Sequence, residues 1–306
     1  MKFSIVIPLF NKSAYILRSV KSVLAQSFQD FELLLVDDGS TDDGVEVLER
    51  EIKDLRLRII RKENGGVSSA RNIGIVEAKC DYICFLDADD VWHPEFLNCV
   101  AHTIKIHPDL EIVGVRFEEV LEGTSVNFNR DPFEIKQDAV KLKDYFKQAS
   151  KSALFNSSST VVRRDVFNKV GKFDELLSHG EDIDMWFRIM LSVSEAYYIP
   201  TYLSYYFVGN SDQATGKLPE LDRHLVGSFF SKYKDQYLDS NVPYFKEFFN
   251  NYLLVNLRPF YIRDHEQKHV EDILSDLMTQ GGKINWFYRI PRCLVKKIYY
   301  FKKRFI

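Results

Sequence analysis

From Phe3 to Leu9 the chain is apolar at every position but Ser4, the pattern of a strand buried on both faces. Ile16, Val20, Val23 and Leu24 then recur at helical spacing, with Asn11 and Ser13 in reach to cap that helix. Phe31 to Val36 reads as a second buried strand, followed by a helix through Val45, Leu48 and Ile52. Leu57 to Ile60 gives a third strand, Asn64-Gly65-Gly66 opens a helix with Ala70, Ile73 and Ile75, and Tyr82 to Leu86 gives a fourth strand. Strands and helices that alternate in this way imply a parallel, doubly wound sheet with right-handed crossovers. In such sheets ligands bind beyond the carboxyl ends of the strands, where each polar cluster of this chain falls.

Past residue 110 the alternation loosens. Ile112 to Val120 is strand-like, Gln137 to Gln148 reads as a short helix, and Ser157 to Val162 as a strand entering Arg163-Arg164-Asp165. Gly180-Glu181-Asp182 precedes an amphipathic helix through Met185, Ile189 and Met190. After Tyr206 the pattern ends, and from about residue 218 the chain reads as helical and rich in aromatics, with a break at Gln280-Gly281-Gly282.

A length of 306 residues suits one large domain with an appendage, or two modest domains. The net charge of −3 gives no reason to expect a nucleic-acid partner. Cys80, Cys84, Cys99 and Cys293 lack paired metal spacing and read as reduced thiols of a cytosolic protein, Cys80 and Cys84 on one face of a strand. Met1-Lys2 leads at once into a strand with no signal peptide, and no apolar run reaches eighteen residues.

Candidate chemistry sits at the strand ends. Asp87-Ala88-Asp89-Asp90 brings three carboxylates together, a costly arrangement unless a positive charge sits among them. Mg²⁺ or Mn²⁺ prefers such oxygen ligands and also grips a diphosphate, whereas a solvated turn capping the helix after Pro94 is the plain alternative. Asp37-Asp38 ends the second strand, where one carboxylate could accept the imide N–H of a pyrimidine. A calcium loop through Asp38, Ser40, Asp42 and Glu49 fails, because Asp43 stands where that loop needs glycine. Gly65-Gly66 suits an anion at a helix start, with Arg71 one turn in and able to reach a diphosphate. Pro8-Leu9-Phe10-Asn11 puts an aromatic and an amide at the same edge.

Ser4-Ile-Val-Ile-Pro8 with Asn11, Leu35-Val-Asp-Asp-Gly-Ser-Thr-Asp42, Asn64 to Gly74 and Phe85-Leu-Asp-Ala-Asp-Asp-Val-Trp92 together resemble the inverting family 2 glycosyltransferases. The resemblance covers roughly residues 1–210. It implies an α/β fold of the GT-A type, a mixed but mainly parallel sheet with helices on both faces, plus a helical C-terminal extension. The expected division is a catalytic domain over 1–215, with a nucleotide half to about 110 and an acceptor half after it, and an extension over 216–306.

Carried over by position, Pro8, Phe10 and Asp38 resemble the family's nucleoside contacts and Arg71 the basic residue near the nucleotide. Asp87 resembles the acid that meets the ribose, while Asp89 and then Asp90 are similar to the ligands of a Mn²⁺ or Mg²⁺ ion. Glu181-Asp182 resembles the family's acidic pair at a helix start. A sugar hydroxyl is a poor nucleophile near neutral pH, so Asp182 is expected as the base and Glu181 as its support. Asn156 or Ser158 could touch the donor sugar.

The implied activity is metal-dependent transfer from a nucleotide sugar, expected as a UDP-sugar, to a saccharide or lipid-linked saccharide of a cell-surface polysaccharide. The Gln-x-x-Arg-Trp motif and membrane spans of processive synthases are absent from the sequence, which favours addition of one or a few sugars. A sugar nucleotidyltransferase would need a glycine-rich basic loop after the first strand, where Pro8-Leu-Phe-Asn-Lys12 has no glycine. A non-catalytic nucleotide-sugar-binding scaffold would tolerate loss of acids that are all present here. From 283 to 306 the chain is basic and aromatic with no acid, which suits an anionic membrane surface and a cytoplasmic protein peripheral on the inner face of the membrane.

Overall fold

In the computed structural model, residues 1–126, 128, 139–209, 218–239 and 241–296 are described. The chain divides into two compact units, Met1–Lys143 with Ala153–Lys217, and Asp144–Ser152 with Leu218–Ile306.

The first unit follows the alternation read above. Its opening elements are β1 (Phe3–Leu9), α1 (Ile16–Leu24), β2 (Phe31–Asp37), α2 (Gly44–Glu51), β3 (Leu57–Arg61), α3 (Val67–Glu77) and β4 (Tyr82–Phe85). Then come β5 (Val91–Trp92), α4 (Phe96–Ile106), β6 (Ile112–Leu121) and β7 (Val140–Lys141). In the second unit α5 covers Tyr145–Ala149. The first unit resumes with β8 (Thr160–Arg163), α6 (Val166–Val170), α7 (Glu181–Met190) and β9 (Ala196–Val208).

The sheet runs β3-β2-β1-β4-β8-β6-β9-β5, with β7 also on β9. β1 to β4, β6 and β9 point one way, while β8, β7 and β5 run against their neighbours, so the sheet is mixed. The chain adds β2 and β3 on one side of β1 and then returns to place β4 on the other. This reversal opens a crevice beyond the carboxyl ends of β1 and β4.

Strand periodicity sorts the two faces. Phe3, Ile5, Ile7 and Leu9 join Leu33 and Leu35 in one core with Ile16 and Val20 of α1, Leu48 of α2 and Phe96 and Val100 of α4. Val6 points the other way, against α3. A Cβ on Gly74 would stand 2.2 Å from Val6 Cγ1, so only glycine lets α3 lie this close to β1.

Several expectations change. Helix α1 starts after Tyr15 with no side-chain cap. Asn11 instead adopts a left-handed φ of 51° and its Oδ1 accepts from Thr41 N at 2.8 Å, while Ser13 N donates to Asp42. Cys80 precedes β4, so only Cys84 of that pair lies in the strand. Ser157–Ser159 forms a 3-10 turn, and the strand begins at Thr160. The helix expected over 137–148 is replaced, in its described part, by β7 and the short α5. Val140 and Lys141 pair with Tyr198 and Tyr197, and Leu142 N donates to Ala196 O. In β9 the register against β6 shifts from Ile199 to Tyr202, which leaves Pro200, with no N–H to give, outside the ladder.

The second unit also holds α8 (Leu225–Asp239), α9 (Phe245–Asn256), α10 (Arg258–Tyr261) and α11 (Gln267–Thr279). Aromatic packing holds it together: Phe229 stacks on Phe249 at 4.5 Å, and Phe146 of α5 meets Phe245 and Phe248 at 5.0 and 5.5 Å. Those ring contacts draw residues 144–152 into this unit, although the sequence places them within the catalytic half. Among the described residues no helix is long and apolar enough to cross a membrane. Tyr288 is buried and donates through its hydroxyl to Leu254 O, whereas Trp286 is 71% exposed. Residues 297–306 of the expected membrane segment lie outside the described residues.

Candidate active site

Four segments meet at the carboxyl edge of the sheet. β1 delivers Phe10, 46% exposed, while Pro8 is buried inside the strand opposite Val36. β2 delivers Asp37 and Asp38, both buried. Asp37 Oδ1 accepts from Ser40 N at 2.9 Å and shapes the turn. Asp38 accepts from Gly65 N at 2.9 Å, from Gly66 N at 2.7 Å and from the Lys62 ammonium. Gly66 manages this with a φ of 88°, open to glycine alone. The anion that the sequence places at this helix start is therefore the protein's own Asp38 carboxylate. That group is buried, and these three donors leave it about one acceptor site.

Beyond β4 the four residues Asp87 to Asp90 separate. Asp87 is 31% exposed in its side chain, and its Oδ1 accepts from Arg71 at 2.7 Å. Asp89 Oδ2 accepts from the Lys12 ammonium at 2.8 Å, and its backbone carbonyl accepts from Arg18 at 2.8 Å. Asp90 turns into the core with no exposure, accepting from Ser158 Oγ on one oxygen and from Phe207 N at 3.1 Å on the other. Burial, and then the charges of Asp87 and Asp89, push its carboxyl well above the usual range against those two hydrogen bonds. Ser158, expected near the donor sugar, is 1% exposed and works on this loop instead. Its Oγ also accepts from Asp87 N at 3.1 Å, and its carbonyl accepts from Trp92 Nε1 at 2.6 Å. Asn156 stands just before that turn, where its N donates to Ser159 Oγ at 3.0 Å.

Arg71 is not a surface arginine. It is 3% exposed, giving one nitrogen to Asp87 and another to Glu181 at 2.9 Å, with Phe173 5.4 Å away. Although burial works against its charge, Asp87, Glu181 and Asp182 together hold it protonated. Helix α7 begins after Gly180, whose φ of 79° turns the chain into the crevice. Glu181 is committed to Arg71. Asp182 stays partly exposed, and its carboxyl is pushed up to about 7 by desolvation and then by Glu181, with Arg71 opposing. Asp184 faces inward and pairs with Arg188 at 2.9 Å, which also donates to Val170 O and Lys172 O.

Lys12, Lys62 and Asn72 were not read from the sequence as members of this neighbourhood. Asn72 follows Arg71 directly and clamps the loop before α7, accepting from Phe173 N at 2.8 Å and donating to Phe173 O and Glu175. Its place in the Ala-Arg-Asn run was the available signal.

Asp87 and Asp89 offer hard oxygen donors, and the ammonium at Asp89 marks a spot that demands positive charge. This set fits a divalent cation such as Mg²⁺ or Mn²⁺. In the helical unit Glu220, His265 and Glu266 bring three ligand atoms within 4.8 Å of one another. There Glu266 Oε1 accepts from Leu221 N at 2.6 Å and His265 bonds Glu220 at 2.9 Å, ties that join two segments of that unit.

An uncharacterized glycosyltransferase of Rickettsia felis is 32% identical over 197 residues, covering 61% of this chain and 31% of that protein. The glycosyltransferase GlyG of Streptococcus pneumoniae is 26% identical over 175 residues, covering 55% of this chain and 58% of that one. The chain thus spans about a third of the Rickettsia felis relative's length. Among solved structures, S. aureus TarS in complex with UDP-GlcNAc superposes with a TM-score of 0.74 at 21% identity, covering 92% of this chain and 81% of that one. The mannosyltransferase PcManGT from Pyrobaculum calidifontis in complex with GDP-Man and Mn²⁺ superposes at 0.60 and 17% identity, covering 96% and 78%. Those likenesses establish a shared GT-A fold. The profile described as Glycosyl transferase family 2 matches residues 4–171, just over half of the chain, and the chain belongs to that family.

Proposed function

We propose that this protein is an inverting glycosyltransferase that moves a sugar from a nucleotide-sugar donor, UDP-linked, to a saccharide acceptor of a cell-surface polysaccharide. The observation that carries this reading is the Asp182 carboxyl. It follows Glu181 at the start of α7, where Arg71 ties Glu181 to Asp87 of the loop after β4, and it is pushed up to about 7. A base with its pKa near neutrality balances availability of the ionised form against strength as a proton acceptor. TarS and PcManGT, which share the fold, are described in complex with UDP-GlcNAc and with GDP-Man and Mn²⁺.

Asp182 accepts the proton of the acceptor hydroxyl as that oxygen bonds to the anomeric carbon. The bond from that carbon to the diphosphate oxygen breaks on the opposite face, and its electron pair leaves with the nucleoside diphosphate. Phe10 offers a ring for the nucleobase and Asp38 its one remaining acceptor site, Pro8 lying behind them as strand backbone. Asp87 serves the ribose while held by Arg71. Asp89 rather than Asp90 would ligate the metal, since Asp90 is buried with both oxygens engaged. A divalent ion there would supply Lewis-acid charge for the leaving diphosphate. The catalytic domain would be residues 1–215 apart from 144–152, which pack in the helical unit, and the helical extension 216–306 would carry Trp286 and the basic tail to an anionic membrane bearing a lipid-linked acceptor.

The test is release of nucleoside diphosphate from a panel of nucleotide sugars with Mn²⁺ present. Turnover of one UDP-sugar that vanishes with EDTA and in Asp182→Asn supports the reading. Full-rate transfer by Asp182→Asn would remove Asp182 as the base.

A further inference from the structure

The helical unit carries a cluster of ligand-type side chains for which the mechanism above has no use. Glu220, His265 and Glu266 each bring one ligand atom within 4.8 Å of the other two. Glu220 precedes the 3-10 turn Leu221–Arg223, while His265 and Glu266 close the loop between α10 and α11. That turn and that loop are already pinned to each other. Arg263 donates to Pro219 O at 2.7 Å and to Leu218 O at 2.9 Å, and Leu221 N donates to Glu266 Oε1 at 2.6 Å. The Arg263 guanidinium also lies 3.6 Å from that same oxygen. Glu266 Oε2 is left over. The residue is 6% exposed, and this second oxygen is buried without a hydrogen-bond partner among the described residues. A buried carboxylate oxygen in that state is costly unless a positive charge meets it.

We propose that Glu220, His265 and Glu266 bind one divalent transition-metal ion, Zn²⁺ by preference, as a clasp within the helical unit. The imidazole nitrogen selects a borderline-soft ion over Mg²⁺, which prefers oxygen donors. Glu266 is the buried, prepositioned ligand. Glu220 and His265, 62% and 63% exposed in their side chains, pair with each other at 2.9 Å and complete the set from the solvent side. Zinc bonds of about 2.0–2.2 Å hold tetrahedral ligand atoms roughly 3.3 Å apart, a spacing that small rotations of the two exposed side chains reach. On binding, the His265 Nε2 that faces Glu220 gives its lone pair to the ion, and the ring proton sits on Nδ1. Three protein ligands leave a fourth position to water. The ion joins two segments 45 positions apart. None of these ligands belongs to the crevice acids, so the clasp does not depend on Asp89.

The experiment titrates Zn²⁺ into the metal-stripped full chain against a chromophoric chelator, with Mg²⁺ in excess. One Zn²⁺ should bind in the wild type and equally in Asp89→Asn. His265→Ala and Glu220→Gln, both at exposed positions, should each weaken binding at least about tenfold, the loss that even an outer-shell partner of a metal can cause. Glu266→Gln should weaken it likewise while retaining an acceptor for Leu221 N. Under the same conditions Zn²⁺ should raise the melting midpoint of the wild type and leave that of His265→Ala in place. A wild type that binds no Zn²⁺, or equal affinity in His265→Ala and Glu220→Gln, overturns the clasp. Loss of Zn²⁺ in Asp89→Asn with retention in His265→Ala puts the ion among the crevice acids and overturns it as well.

Discussion

Arg71 and Glu181 stand 110 positions apart in the chain and meet as a 2.9 Å ion pair, with Arg71 3% exposed. Through the second arm of the same guanidinium, Glu181 is joined to Asp87. One side chain on α3 thus connects the loop after β4 to the start of α7.

Removing that connection should be costly. Truncating one partner of a buried ion pair leaves an uncompensated charge, so Arg71→Met should lose about 3 kcal/mol of stability in urea denaturation. Arg71 also opposes the upward shift at Asp182, so the acidic limb of any residual activity should move to higher pH. An unshifted limb would show that Arg71 does not act on Asp182.

On the proposed function, Asp182 would set the pH dependence. With its carboxyl pushed up to about 7, kcat/KM should fall about tenfold per pH unit below that value and level off above it. Between the unfolded carboxyl's pKa, about 4, and about 7, the folded state binds more protons than the unfolded one, so this group makes stability fall as pH rises across the window. Urea denaturation at several pH values should show that slope flattened in Asp182→Asn.

Asp89 and Asp90 should separate cleanly. Asp90→Ala leaves Ser158 Oγ and Phe207 N without their acceptor in the core and should cost about 2–4 kcal/mol. Asp89→Ala, at the rim, should melt within a few degrees of the wild type while losing EDTA-sensitive turnover. Thermal melts beside an activity assay read both, and equal melting losses would contradict the difference in burial.

Trp286 should matter at a lipid surface. It is 71% exposed beside a buried Tyr288, so Trp286→Ser should leave the melt unchanged and reduce flotation with anionic vesicles. Unchanged flotation in that variant and in a chain lacking residues 283–306 would exclude the membrane role.

The order of strands and helices through β4 was legible because buried parallel strands need continuous apolar runs and crossover helices need their own period. The acids at the strand ends were legible because polar residues interrupt those runs where the chain leaves the core. Pairing across long separations was not. Nothing local to Lys12, Lys62 or Ser158 says that they face Asp89, Asp38 and Asp90, and the exposed edge residues Val140 and Lys141 carry too little periodicity to be told from a helix.

By itself, then, the sequence determined the family, the doubly wound frame and the set of acids from Asp38 to Asp182, since each depends on residue type and local spacing. Only the tertiary structure decided what each acid does. Asp90 and Asp184 are spent inside the core, Asp38 holds the start of α3, and Asp89 and Asp182 remain at the crevice rim. The reason is physical: a carboxylate's role follows from its burial and from the donors around it, and those donors come from segments that only the folded chain brings together.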